Sequence, residues 1–128
     1  MDLDDQVRAG FLEDAQEIIQ GIYPELEKLF FNLSDHEALA TVVRRFRDLK
    51  GGALVVGQDE FGLAAMACQQ CFEEWLTEYG MACKELVSFG RWALCSFERW
   101  IHDLWLNTAE GWNASEFTVK ARAIKPEA

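Results

Sequence analysis

Apolar residues recur every three or four positions over most of the chain. Phe11, Ala15, Ile18, Ile19, Ile22, Leu26, Leu29 and Phe30 form the first such stripe, which is the pattern of an amphipathic helix. Pro24 falls inside it and cannot donate to the carbonyl of Gln20, so a kink is expected there, helped by Gly21. Ser34-Asp35-His36-Glu37 reads as a capping box in which the Ser34 hydroxyl accepts from the Glu37 amide. A second stripe follows with Leu39, Val42, Val43, Phe46, Lys50 and Ala53, and Gly57 ends it. Asp59 is the expected cap of a third helix carrying Phe61, Ala64, Ala65, Cys68, Phe72, Trp75, Leu76 and Tyr79, which Gly80 breaks. A fourth stripe holds Leu86, Phe89, Ala93, Phe97, Trp100, Ile101, Leu104 and Trp105.

Four helices of about 20 residues, each about 30 Å long, joined by short connections, predict an all-α fold. The expected architecture is an antiparallel four-helix bundle over residues 1–106. From Asn107 the pattern dissolves. Phe117, Val119, Ala121 and Ala123 alternate with Thr118, Lys120 and Arg122, and residues 107–128 are expected to form a short irregular tail or linker.

Composition agrees with one globular domain: of 128 residues, 50% are apolar and 27% charged. A chain of this size needs neither metal nor disulfide to fold, and no cofactor is expected. With 12 basic against 22 acidic residues, the formal net charge is −10. Phosphates would be repelled, which argues against nucleic acid and against an anionic membrane surface as partners. No apolar run is long enough to span a bilayer. The acidic start Met1-Asp2-Leu3-Asp4-Asp5 is unlike a secretory leader, so a cytoplasmic location is expected. Cys68, Cys71, Cys83 and Cys95 lie in apolar helical stretches, as small buried hydrophobes of a reducing compartment would. Cys68-x-x-Cys71 falls inside a helical pattern with no glycine or basic residue beside it. That favours packing over redox or metal chemistry.

The second helix carries the exception to the acidic average. Arg44, Arg45, Arg47 and Lys50 place four of the 12 basic residues within seven positions, with Asp48 as the acid among them. Gly51 and Gly52 follow directly, and each costs roughly 1 kcal/mol of helix propensity relative to Ala. Two adjacent glycines within a helix leave a bare backbone patch that another surface can approach closely. The plainer alternative is a solvated basic face.

Phe11-Leu-Glu-Asp-Ala-Gln-Glu-Ile-Ile resembles the first helix of histidine-containing phosphotransfer (HPt) domains. The nearest type is the amino-terminal phosphotransfer domain of chemotaxis-type histidine kinases. Phe46-Arg-Asp-Leu-Lys-Gly-Gly-Ala-Leu-Val-Val-Gly57 resembles that family's signature, His-x-x-Lys-Gly followed by a small residue and a later glycine. Phe61, Ala64 and Cys68 then take its third-helix apolar positions, and the resemblance extends over about residues 8–105. It implies a four-helix bundle, and also a departure. The phosphoacceptor histidine is replaced by Arg47, and the glutamate that orients it by Gln69. A guanidinium has no free lone pair and cannot take its place as a nucleophile.

The remaining histidines do not substitute. His36 lies about 16 Å along the helix from Arg47, and His102 stands on the fourth helix beside Asp103. No phosphate-cradling glycine loop, HExxH or serine elbow is present, so no enzyme activity is expected. The resemblance implies a pseudo-HPt domain that docks on a response-regulator receiver or a histidine kinase through Arg44, Arg47, Asp48, Lys50, Gly51, Gly52 and Gln69. Two other readings stay open. One is a helical scaffold for a partner outside two-component signalling, such as a transcription regulator, with Trp92 and Trp112 as anchors or covered by the tail. The other is a small-molecule pocket lined by the tryptophans.

Overall fold

The computed structural model of the chain describes residues 3–126. These form five α-helices, and no strand occurs among them: α1 Leu3–Phe31, α2 His36–Val55, α3 Asp59–Glu78, α4 Lys84–Trp105 and α5 Ser115–Ala123. None is long and apolar enough to cross a membrane. The 29 residues of α1 extend about 44 Å and continue as one helix through Pro24. The proline is exposed.

Helix ends follow local chemistry, with two departures from expectation. The cap of α2 is Asp35, not Ser34: Asp35 Oδ1 accepts from the Ala38 amide at 3.0 Å. That amide belongs to the third residue of the helix, the donor a capping carboxylate reaches best. Ser34 instead donates its own amide to Asn32 Oδ1. Asp59 does not cap α3 but lies in its first turn with Glu60, where negative charge complements the helix dipole. Gln58 holds the cap position with no side-chain bond. At the other ends, Gly57 and Gly80 take φ values of +78° and +67°, the left-handed turn that stops α2 and α3.

Contacts between named residues set the directions of the helices. Phe11 lies against Gly52 and Gly21 against Arg45, so α1 and α2 run antiparallel. Tyr23 donates to Glu98, and Leu26 touches the Gly90 position, so α1 and α4 also run antiparallel. Leu54 covers Gly62 near the turn, and Phe46 meets Phe72 further along, which makes α2 and α3 the third antiparallel pair. Gly90 is required by this arrangement. A Cβ there would stand 2.9 Å from Phe72 Cζ and 3.1 Å from Leu26 Cδ1, inside the core.

The apolar stripes enclose this core, led by Leu12, Ile19, Ile22, Leu26, Leu39, Leu49, Phe61 and Phe72. Some stripe members face water instead. Phe30 is half exposed beneath the Arg91 guanidinium, Trp105 is exposed at the far end of α4, and Lys50 is only partly covered. Of the cysteines, Cys68 and Cys71 are buried, Cys83 caps α4, and Cys95 is exposed.

The carboxy-terminal segment departs most from expectation. It is not an irregular tail. Residues 115–123 form α5, and Phe117 is fully buried. Its ring lies 4.8 Å from Phe97 and 4.9 Å from Trp92. Trp112 stacks on Trp100 at 5.2 Å, and its indole N–H donates to Asp103 at 2.7 Å. The Ala114 amide donates to Glu60 at 3.0 Å, tying the start of α5 to α3. The apolar residues that turn inward are Phe117, Ala121 and Ile124. This is helical spacing, whereas Val119, the next member of the expected alternation, is two-thirds exposed.

Phe117→Ala should lower stability by about 3–5 kcal/mol, the usual effect of emptying a buried aromatic site. Chemical denaturation followed by tryptophan fluorescence measures this. A loss below about 1 kcal/mol would mean that α5 is not part of the core.

Candidate docking surface

The long faces of α2 divide the residues singled out in the sequence into two groups. On the α1 side, Gly52 lies under the Phe11 ring, with 3.6 Å between a Cβ built there and Phe11 Cδ1, and Arg45 covers Gly21. On the α3 side, Leu54 and the Lys50 carbonyl face Gly62. A groove of about 410 Å³ opens between α1 and α2 and is lined by Asp48, Gly51 and Gly52 together with Phe11, Asp14 and Ile18. Arg44, Arg47, Lys50 and Gln69 do not line it. The expected binding set is therefore two adjoining surfaces.

The first surface is basic. Arg44 and Arg47 are exposed, and Lys50 is partly covered. Arg44 donates to Thr41 Oγ1 at 3.0 Å, which props its guanidinium along the helix. No ion pair joins Arg44, Arg47 or Lys50 to a carboxylate among the described residues. Cations left in water beside a helix face are available to an outside carboxylate, which a guanidinium engages with two parallel bonds.

Gln69 lies on α3. The register fixed by Gly62 against Lys50 and by Phe72 against Phe46 sets its stretch opposite the α2 turn that carries Arg47. Gln69 is buried, with 8% of its surface exposed. Its amide nitrogen donates to Glu73 Oε2 at 3.2 Å, and its Oε1 accepts no hydrogen bond among the described residues. A carboxylate here would sit beside Glu73 in a buried place and repel it. The carboxamide avoids that repulsion and supplies the donor.

Sequence reasoning named Asp48, Gly51 and Gly52 of the second surface and missed its α1 wall. Its α1 wall includes Gly10, a glycine within a helical stripe as are Gly51 and Gly52, and antiparallel pairing of α1 with α2 brings the three to one groove. A Cβ built at Gly10 or Gly51 meets nothing within 4 Å.

No group of three or more His, Cys, Asp or Glu side chains among the described residues is arranged to hold a metal ion. Burial pushes the Cys68 thiol well up and the Cys71 thiol up to about 12, the opposite of an activated thiolate. Cys71 Sγ points to the Ala121 carbonyl at 3.7 Å, beneath α5. His36 and His102 are exposed at separate places on the surface. Trp92 and Trp100 pack on Phe117, and Trp112 stacks on Trp100, so these rings fill space beneath and beside α5.

Comparison of the chain with protein-family models, with curated proteins and with solved structures finds no match.

Gly10→Ala and Gly51→Ala should each raise stability by about 0.5–1 kcal/mol, since the methyl enters open space and the helix gains propensity. Gly90→Ala should lower it, because its methyl collides with Phe72. Thermal and chemical unfolding of the three variants checks both signs. Against an aromatic disulfide reagent under native conditions, Cys95 should react first, Cys83 more slowly, and Cys68 only on unfolding. Mass mapping of the labelled thiols reads that order.

Proposed function

We propose that this chain is a pseudo-HPt bundle: a phosphotransfer-type fold without a phosphoacceptor, which docks on a response-regulator receiver or on a histidine kinase. It modulates two-component signalling without carrying phosphate. The observation that carries this reading is the unpaired run of exposed Arg44 and Arg47 and partly covered Lys50 on α2, in a motif that resembles the HPt signature in its lysine and glycines and lacks its histidine. The arrangement of α2 and α3 supports it, since the stretch bearing Gln69 lies opposite the turn bearing Arg47.

The chemistry follows from the replacement. Histidyl phosphorylation needs an imidazole nitrogen whose lone pair attacks the phosphorus. Arg47 has five N–H donors and nothing to attack with. What it retains is a permanent positive charge on a planar fork. A receiver's phosphorylation pocket is acidic and normally takes a magnesium ion, so a cationic side chain is complementary to its carboxylates. Docking there would occupy a receiver and withhold it from a true phosphodonor. The mechanism is one of competition, with no bond made or broken on this chain.

Incubation with a histidine kinase and its receiver should leave no acid-labile phosphate on this chain. Arg47→Glu should weaken receiver binding at least tenfold, read by calorimetry at low salt, because repulsion replaces attraction at one buried contact. Arg47→His combined with Gln69→Glu should restore some labelling by a chemotaxis-type kinase. Stable histidyl phosphate on the natural chain, or receiver binding indifferent to Arg47→Glu, would overturn the proposal.

A further inference from the structure

The α1–α2 groove calls for a separate reading, because its character is opposite to that of the basic row beside it. Its floor is apolar: Phe11, Ala15, Ile18 and Leu49. Its ionisable lining residues are Asp14 and Asp48, and no cationic side chain lines it. Val55, at its end, is 86% exposed, and Val7 is 45% exposed. Along α1 the groove extends from Gln6 to Ile18, a length of about 18 Å or three helical turns.

Gly10 and Gly51 add a second, independent constraint. The fold does not need either of them, since a Cβ at each meets open space, and each lowers the stability of its own helix. Both stand on this groove. Bare helix backbone between two antiparallel helices lets a third approach to a close-packed distance, about 8–10 Å between axes. The apolar floor wants an apolar stripe, and the acidic walls want basic flanks.

We infer that the α1–α2 groove is the docking site for an amphipathic helix of a partner protein, one that carries an apolar stripe flanked by lysine or arginine. This is helix-in-groove recognition: the partner's residues at i, i+3, i+4 and i+7 fill the floor, and its cations meet Asp14 and Asp48. The inference is independent of the two-component reading, which rests on the basic row. A partner offering an acidic surface to Arg44–Lys50 and a basic helix to the groove would be held at both.

The test uses the full chain and a fluorescein-labelled 16-residue helical peptide with Leu at i, i+3, i+4, i+7 and i+11 and Lys flanking the stripe. A second peptide carries Glu at every Lys position. Fluorescence anisotropy should show saturable binding of the Lys peptide and at least tenfold weaker binding of the Glu peptide. Gly51→Leu fills the groove without changing charge. It should weaken the Lys peptide at least tenfold while the melting temperature holds or rises. Gly10→Leu, on the opposite wall, should do the same, and Asp14→Lys with Asp48→Lys should reverse the preference between peptides. Equal binding of both peptides, or Lys-peptide binding unaffected by both leucine variants, would overturn the inference. A dimer seen by sedimentation and lost in Gly51→Leu would also overturn it, by assigning the groove to a second copy of this chain.

Discussion

Phe61, in the first turn of α3, is where the helices are held to one another. Its ring is fully buried and meets Phe11 of α1 edge-on at 5.4 Å, Phe97 of α4 at 4.8 Å and Trp100 of α4 at 5.0 Å. Phe97 and Trp100 then carry the contact to Phe117 of α5. Each such pair adds about 0.5–1.5 kcal/mol to the burial of its rings, and the burial itself is larger. Because planar rings admit few relative placements at these distances, the cluster fixes spacing and rotation as well as stability. The position of α3 against α1 and α4, and hence of the α2 surface that α3 supports, rests on it.

With that core closed, α2 is left with a free outer face. Its inward residues, Val42, Val43, Phe46, Leu49 and Ala53, are all buried. Arg44 and Arg47 are exposed, and a Cβ at Gly51 meets nothing within 4 Å. Their effect is on the outside: unpaired cations on the exposed face and one apolar, acid-walled groove toward α1. The chain's net charge of −10 conceals both features. An anionic molecule with one cationic helix face repels most polyanions yet attracts a protein that offers a local acidic pocket.

Gln69 joins the core to that face. Its amide donates to Glu73, where a carboxylate would oppose it. With Arg47 exposed on α2 and Gln69 uncharged on α3, the surface is suited to attracting a carboxylate.

Four of the five helices were legible as stripes of apolar residues, because a long helix with one buried face must repeat every three or four positions. The turns at Gly57 and Gly80 were legible for a related reason: only glycine reaches their positive φ readily. The basic run of α2 and its paired glycines were visible as local breaks in an acidic, helical background. What periodicity left open depended on distant partners. Phe117, Ala121 and Ile124 make too short a stripe to stand out until Trp92, Phe97 and Trp100 are there to receive Phe117. The choice between Ser34 and Asp35 as cap turned on which side chain reached the Ala38 amide. Whether Gly10 and Gly51 were packing devices or open backbone depended on what stands across from them, and that is settled by the antiparallel pairing of α1 with α2. Local periodicity and backbone conformation are written in neighbouring residues. A groove, a cap or a short docked helix is created by residues far apart in the chain, and exists only once the core has brought them together.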